Sequence, residues 1–311
     1  MRAPFRRISV VGLGLLGGSV ALAARARGIA DEVVGAGRSR ASVDAALRSG
    51  AFSAVEVGPD AVRGAELVVL ATPVGAMAGE LARAASGLAK GALVTDVGSV
   101  KSQLAETLPG LLPPGARYVG AHPMAGSHER GMVHARADLF EGAACAVTPT
   151  RDSEPEAVER VCAFWRGLGA RVFLRDPARH DAEVAWVSHL PHALAFAFAR
   201  ALAAAPEGSL ELAGAGFRDF TRIARSDAEL WSEILAANRK ALAGPLQRAA
   251  AELAELARRL EADDEPGLER FLAEARARLS ANPESRPSGG ENPELGAARS
   301  AAPTERNREH S

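Results

Sequence analysis

Cysteine is nearly absent from this chain, which has 2 cysteines among its 311 residues. Cys145 and Cys162 are too few for a disulfide framework, and their spacing matches no metal site, so no metal is predicted. A chain without a disulfide framework fits a reducing compartment. We therefore expect a cytoplasmic protein.

An excess of charge and long apolar runs are lacking as well. Lys and Arg number 37 against 38 Asp and Glu, so nothing favours nucleic acid or an anionic membrane as a partner. No run of about 20 apolar residues predicts a membrane span. The basic start and the apolar run of residues 1–25 resemble a secretory signal, but the glycines within that run favour a different role.

A glycine-rich loop follows the first predicted strand, residues 7–11. Residues 12–19 read GLGLLGGS and lead into an Ala-rich helical stretch, which gives G-x-G-x-x-G its required context of strand, turn and helix. In such a loop the backbone approaches a pyrophosphate, and N–H groups at the helix start bind the phosphates. We therefore predict a dinucleotide site. Its candidate contacts are Gly12, Gly14, Leu15, Leu16 and Gly17, together with Thr72 and Pro73 at the end of a later strand.

The end of the second predicted strand decides between NAD and NADP. An acidic residue there would bind the ribose hydroxyls of NAD, but residues 37–40 read GRSR. Arg38, Ser39 and Arg40 would meet a 2′-phosphate without repulsion. The predicted cofactor is therefore NADP or NAD with a lean towards NADP. The alternative is that Arg38 and Arg40 are solvated residues at a helix start.

Strands and helices alternate up to residue 176, which predicts an α/β Rossmann domain with a doubly wound, mostly parallel sheet. The predicted strands are residues 7–11, 32–36, 67–71, 93–95, 118–121, 143–148 and 171–174. Beyond them only helical periodicity remains, at residues 184–205, 228–260 and 267–279. The predicted parts are a dinucleotide domain at 1–176, an all-α domain at 177–280 and a disordered tail at 281–311.

The helical part carries an apolar stripe. Leu253, Leu256 and Leu260 face one way on their predicted helix, and charged residues face another. Such a stripe must be buried, and a helical second domain often buries it against a second copy of the chain. We therefore predict an all-α dimerisation domain and a homodimer.

Two polar motifs, DVGSVK at 96–101 and HPMAGS at 122–127, follow short apolar strands. The carboxyl ends of parallel strands face the ligand crevice, so Ser99 and His122 are predicted to open into one cleft. Pro123 favours extended geometry at His122, which suits a general base with a pKa near neutrality. The alternative is a structural His at a strand end.

Two further motifs lie in the helical part. SHLPH at 188–192 interrupts an apolar helix at Pro191, and His189 within it is either a core histidine or a site residue. Arg222, in the string FRDFTRIA, would be costly to bury alone. Its anion is predicted to be either Asp219, three residues earlier on the same helix, or a substrate carboxylate.

The order and spacing of these motifs resemble the prephenate/arogenate dehydrogenases of tyrosine biosynthesis. The strings are GLGLLGGS, ATPV, DVGSVK, HPMAGS, SHLPH and FRDFTRIARSD, with Trp231 beyond them. The resemblance covers residues 7–280, and HPMAGS and DFTRIA are its most specific parts.

This resemblance implies oxidative decarboxylation of prephenate to 4-hydroxyphenylpyruvate, with hydride transfer to a nicotinamide. It implies that His122 takes the proton of the ring hydroxyl and that Ser99 hydrogen-bonds in the same cluster. It also implies that Arg222 pairs with a substrate carboxylate. The other implied substrate contacts are His189, Ser127, Trp231 and Asp219.

One departure from the family concerns the substrate. His128 stands where the family often has Glu, and a neutral imidazole offers less to a substrate ammonium group, so we favour prephenate over arogenate. An arogenate or cyclohexadienyl dehydrogenase is the first alternative. A β-hydroxyacid dehydrogenase would need a Lys base such as Lys240, which lies far from the other polar groups. A dinucleotide sensor without catalytic activity would not need Ser99, His122, His189 and Arg222, so their presence argues against this alternative.

Overall fold

The computed structural model describes residues 3–37, 40–126 and 129–281. Four residues that the sequence singles out lie outside these ranges, as does the predicted tail from residue 282: Arg38, Ser39, Ser127 and His128. The chain divides into two compact units, residues 1–248 and 249–311, and every candidate site residue lies in the first. The predicted boundary after residue 176 stays a prediction.

Six parallel strands form the first sheet. Their bounds are β1 (Phe5–Val11), β2 (Ala30–Ala36), β3 (Ala54–Glu56), β4 (Leu67–Leu70), β5 (Leu93–Asp96) and β6 (Arg117–Tyr118). The helices between them are α1 (Leu15–Ala26), α2 (Arg40–Arg48), α3 (Val74–Ala84) and α4 (Ser102–Thr107). The strand order β3-β2-β1-β4-β5-β6 confirms the predicted Rossmann fold. The sequence did not reveal β3.

Both faces of this sheet are covered, as a parallel sheet requires. Neighbouring side chains point to opposite faces, so Val10 of β1 is buried in one apolar cluster with Trp165, while Val11 is buried in another with Met77. The register pairs the last residues of β1, β4 and β5 with one another. The carboxyl ends of these three strands therefore lie side by side at one edge of the sheet.

A second sheet follows along the chain. Its strands are β7 (Gly120–Pro123), β8 (Ala144–Thr148) and β9 (Arg171–Leu174), with α5 (Pro155–Gly167) between the last two. β7 is antiparallel to β8 and pairs His122 with Ala146. The prediction of one strand at 118–121 was wrong, because the chain changes sheets there. Glycine is needed at this change, since a Cβ on Gly120 would lie 2.6 Å from the hydroxyl oxygen of Thr148.

Beyond β9 the described part of the chain is helical. The helices are α6 (Pro177–Val184), α7 (Leu190–Ala201), α8 (Ala215–Arg222), α9 (Ala228–Ala237), α10 (Arg239–Glu261) and α11 (Glu265–Ser280). None of the helices in the described ranges is long and apolar enough to cross a membrane.

The long helices predicted at 184–205 and 228–260 are each interrupted. A π-helical turn, Ala185–His189, lies between α6 and α7, and Pro191 follows it in the first turn of α7. Asn238 separates α9 from α10 with a φ of -98° and a ψ of 19°. Interruptions of this kind often lie at functional sites, because they free polar groups from the regular helix.

Candidate active site

The glycine-rich loop has the geometry of a phosphate-binding turn. Gly12 has a φ of +112°, a conformation that favours glycine. A Cβ on Gly17 would lie 1.9 Å from the carbonyl oxygen of Gly12, whereas a Cβ on Gly14 would meet no atom within 4 Å. Gly17 is therefore required by the turn itself, and Gly14 leaves open space before α1. The first N–H groups of α1, those of Leu15 and Leu16, face this space without a capping side chain.

A cavity of about 520 Å³ lies beside this loop. Its lining includes Gly12, Thr72, Arg83 and Gly37, the residue that follows β2. The hydroxyl of Thr72 is buried without a hydrogen-bond partner in the described part of the chain, so it is available to a bound group. Pro73 follows it and is exposed directly before α3. An open glycine turn, a helix N-terminus and an available hydroxyl together fit a dinucleotide.

A buried ion pair joins the ends of β5 and β7. The Nζ of Lys101 donates to the carboxylate of Asp96, and both side chains are fully buried. The same Nζ donates to the carbonyl oxygen of Ala121 at 2.8 Å. The hydroxyl of Tyr118 donates to Asp96 at 2.7 Å. This network fixes the strand end that carries His122.

His122 is 7% exposed and takes part in a series of hydrogen bonds that reaches α6. Its Nδ1 lies 2.9 Å from the Nε2 of His180, and the Nδ1 of His180 lies 2.8 Å from the Oδ1 of Asp181. The Asp181 carboxylate also accepts the backbone N–H groups of Lys101 and Ser102 at 2.8 and 2.9 Å. The Asp181 carboxylate, which is itself fixed by hydrogen bonds, thereby orients the ring of His122 through His180.

Burial and neighbouring charges determine the protonation of this series. Burial lowers the pKa of His122 well below its usual value. Electrostatic interactions with His180, Lys101 and His189 lower that pKa further. The pKa of Asp181 is lowered too, because hydrogen bonds from His180 and from backbone N–H groups outweigh the opposing effect of burial. At neutral pH, His122 is therefore a neutral imidazole and Asp181 an ionised carboxylate.

His189 is fully buried at the end of the π-helical turn. The Nδ2 of Asn238 donates to the carbonyl oxygen of Asp181 at 2.8 Å and lies 2.9 Å from the Nδ1 of His189. Because this amide nitrogen is a donor, Nδ1 of His189 accepts and Nε2 carries the proton. That Nε2 is buried with no hydrogen-bond partner among the described residues. Burial lowers the pKa of His189 to about 4, so the group is a neutral donor available to a substrate oxygen.

Aromatic and cationic side chains extend the site beyond His189. His192 stacks on Trp231 with ring centroids 3.5 Å apart, and Trp231 meets His189 edge-on at 6.1 Å. Burial lowers the pKa of His192, and the charge of Arg222 lowers it further. Helix α8, which ends at Arg222, packs against α7, which carries His192. Arg222 is exposed at the end of α8 and has no ion pair within the described ranges. Asp219 is exposed and does not pair with it.

Of the predicted catalytic and substrate-binding residues, His122, His189 and Trp231 belong to one series of interacting groups. Ser99 and Asp219 do not belong to it. Ser99 is half-buried, and no hydrogen bond joins it to another residue that the structure describes. The residue that the structure places beside the Nδ1 of His122 is His180. Lys240 is exposed on α10. The described residues contain no group of three or more His, Cys, Asp or Glu side chains that could hold a metal ion.

Sequence reasoning missed His180, Asp181 and Asn238. The first two are adjacent in the string ARHDAEV, which has the composition of a charged, solvated helix start. Asn238 lies within an otherwise regular helical pattern, and its only signal is a poor helix former at that point. Lys101 and Asp96 lie within the DVGSVK motif, where their spacing gave no sign of an ion pair.

Two family models match this chain. The model described as "Prephenate dehydrogenase, nucleotide-binding domain" matches residues 20–174. The model described as "Prephenate dehydrogenase, dimerization domain" matches residues 176–274. Together these matches cover most of the described chain.

Individual proteins are similar over nearly the same length. Prephenate dehydrogenase of Bacillus subtilis (strain 168) is 33% identical over 277 residues, which are 86% of this chain and 74% of that protein. Cyclohexadienyl dehydrogenase of Zymomonas mobilis is 32% identical over 283 residues, 89% of this chain and 96% of that protein. The crystal structure of A. aeolicus prephenate dehydrogenase with hydroxyphenyl propionate and NAD+ has a TM-score of 0.81 at 30% identity, and the match covers 89% of this chain and 98% of that chain.

Proposed function

Because the chain belongs to the prephenate dehydrogenase family, we propose that it converts prephenate to 4-hydroxyphenylpyruvate by oxidative decarboxylation. The observation that carries the proposal is the set of complementary groups around β7. His122 is a buried neutral base, His189 is a buried neutral donor, and Arg222 is a cation without an ion pair in the described chain. Prephenate requires these three properties, since it has a ring hydroxyl to deprotonate and carboxylates to bind.

His122 is the general base in this proposal. Its Nε2 accepts the proton of the ring hydroxyl while the carbon that bears this hydroxyl loses hydride. The bound nicotinamide serves as the hydride acceptor. The ring carboxylate leaves as carbon dioxide, and the electrons of its broken bond pass through the ring to the oxygen. That oxygen takes the proton back from His122, so the base is regenerated and no net proton is released.

Arg222 and His189 are the proposed anchors of the substrate. A guanidinium binds a carboxylate through two parallel hydrogen bonds and keeps its charge at every working pH. The Nε2–H group of His189 donates to a second substrate oxygen, which satisfies an otherwise unpaired buried donor. The stacked Trp231 offers an apolar wall to the ring. The roles implied for Ser99, Ser127 and Asp219 stay predictions.

For the cofactor we propose NADP in preference to NAD. The glycine turn and the Thr72 hydroxyl support a dinucleotide of either kind. The preference rests on the string GRSR at residues 37–40, which offers two arginines and a serine hydroxyl and no carboxylate at the ribose end. The A. aeolicus relative was crystallised with NAD+, so both cofactors belong in the experiment.

Initial rates of cofactor reduction test these proposals. Prephenate, arogenate and a set of 3-hydroxy acids are each assayed with NAD and with NADP, and the products are identified by chromatography. We expect turnover of prephenate to 4-hydroxyphenylpyruvate, with the higher kcat/KM for NADP. A higher kcat/KM with NAD would overturn the cofactor preference alone. A higher kcat/KM for arogenate would overturn the choice of substrate, and turnover of hydroxy acids alone would overturn the function.

We also propose that the chain forms a homodimer through its helical part. The match to a dimerization-domain model supports this, as do Leu253 and Leu260, each 58% exposed in the single chain. Light scattering should give a mass near twice 32.2 kDa. A mass of one chain at working concentrations would contradict the proposal.

A further inference from the structure

The hydrogen bonds behind His122 lead to an inference that rests on the proposed function. The Nδ1 of His122 faces the Nε2 of His180 at 2.9 Å, and the Nδ1 of His180 faces Asp181 at 2.8 Å. We propose that His180 and Asp181 are positioning residues, which hold His122 in the tautomer that is protonated at Nδ1 and leave its Nε2 as the only proton acceptor of the ring.

The direction of each hydrogen bond follows from the carboxylate. An ionised carboxylate has no proton to donate, so the Nδ1 of His180 must donate to Asp181. In the proposed arrangement His180 carries a single proton, on Nδ1, so its Nε2 is an acceptor. The facing Nδ1 of His122 must therefore be the donor. Its Nε2 has no hydrogen-bond partner among the described residues and carries a free lone pair.

Asp181 is held in place by a second set of donors. The backbone N–H of Lys101 donates to its Oδ1 at 2.8 Å, and that of Ser102 donates to its Oδ2 at 2.9 Å. Asp181 is 4% exposed and His180 is 2% exposed, so water does not compete for these bonds. Asp181 thus determines which nitrogen of His180 carries a proton and, through His180, which nitrogen of His122 does.

The same arrangement accommodates the charge that forms on His122 during the reaction. The groups that face His122 are His180, Lys101 and His189, and all three disfavour a cationic ring. When Nε2 takes the substrate proton, the Nδ1–H group still donates to His180, whose own proton points at the Asp181 carboxylate. The Asp181 carboxylate, reached through His180, is thus placed to offset part of this unfavourable effect until the proton returns to the product oxygen.

The nitrogen NMR signals of the imidazole rings test the tautomer without any substrate. In the wild-type protein at neutral pH, we expect His122 to show a protonated Nδ1 and a bare Nε2, with its signals assigned by their loss in His122→Asn. In His180→Leu, which removes the acceptor, we expect a mixture of tautomers at His122. A wild-type ring protonated at Nε2 would overturn the proposal.

Kinetics of paired variants separate positioning from a general structural effect. His180→Leu should lower kcat for prephenate by about 10²-fold, with the cofactor Kd within about twofold of wild type. His180→Gln places an amide oxygen near the lost Nε2 and should recover most of this kcat. His134→Gln, a change at a partly exposed histidine outside the series, should leave kcat unchanged.

These experiments distinguish a failure of the positioning role from a failure of the proposed function. Equal kcat values for wild type, His180→Leu and His180→Gln would overturn the positioning role. Absence of prephenate turnover in the wild type would overturn the proposed function, while the imidazole signals would still decide the tautomer. If His180→Leu fails to fold, the wild-type spectrum and His180→Gln decide the question.

Discussion

Lys101 and Asp96 form an ion pair in which both side chains are completely shielded from solvent. Burial lowers the pKa of Lys101, and the neighbouring Asp96 carboxylate opposes that shift. The pair also supports the site, because Lys101 donates through Nζ to Ala121 and through its backbone N–H to Asp181. A cation enclosed in this way depends on its carboxylate partner.

Removal of the Asp96 carboxylate should therefore lower the free energy of unfolding substantially. Asp96→Ala leaves the ammonium group of Lys101 buried without its counterion and Tyr118 without its acceptor. We expect the free energy of unfolding to fall by about 3–5 kcal/mol in denaturant titration. Asp60→Ala breaks an exposed pair with Arg63 and should leave that free energy almost unchanged. Equal, small losses in both variants would contradict a structural role for the buried pair.

The two glycines of the cofactor turn should respond differently to the same substitution. Gly14→Ala adds a methyl group where no atom lies within 4 Å, so thermal unfolding should be unchanged. The methyl group occupies the space for the pyrophosphate and should raise the cofactor Kd about 10-fold or more. Gly17→Ala collides with Gly12 and should lower both Tm and cofactor affinity. Wild-type cofactor affinity in Gly14→Ala would place the phosphates elsewhere.

Arg222 has no ion pair in the described chain, so its removal should affect substrate binding more than stability. A charged hydrogen-bond contact of about 1.5–3 kcal/mol predicts that Arg222→Ala raises the KM for prephenate about 10- to 100-fold. Arg166→Ala, which removes an exposed surface arginine paired with Glu159, serves as the matched control. An unchanged KM in Arg222→Ala would show that this guanidinium does not meet the substrate.

The pH dependence follows from the lowered pKa of His122. The reaction needs the neutral ring, and burial together with His180, Lys101 and His189 keeps the ring neutral at pH values where a free histidine is protonated. As the pH falls, kcat/KM should therefore stay constant down to about pH 6.5, the pKa of a free histidine, and should decline only below that pH. An acid limb centred at or above that pH would mean that a different group, or an unshifted base, controls the reaction.

Local patterns in the sequence predicted a large part of this fold. The glycine loop, the parallel strands and the position of His122 at a strand end follow from residue order, because each depends on neighbours within about ten residues. The change of sheet at Gly120 does not, since sheet membership depends on distant partners such as Thr148. The break at Asn238 also depends on its contacts with Asp181 and His189.

The site was predicted less completely, for the same reason. Motif strings identified His122, His189 and Arg222 as candidates but gave no information on the partner of each ring. The contact between His122 and His180 joins residues 58 positions apart, and the ion pair of Arg222 with Asp219, one of two open alternatives, is not formed in the structure. Hydrogen-bond direction and protonation are properties of the folded arrangement.

The kcat of His122→Asn with prephenate at saturating cofactor tests the central claim most directly. Asparagine retains a polar side chain of similar reach but accepts no proton at neutral pH. If His122 is the general base, kcat falls by at least about 10²-fold, while the cofactor Kd measured on the same variant stays at the wild-type value. A His122→Asn variant with the wild-type kcat would contradict the account.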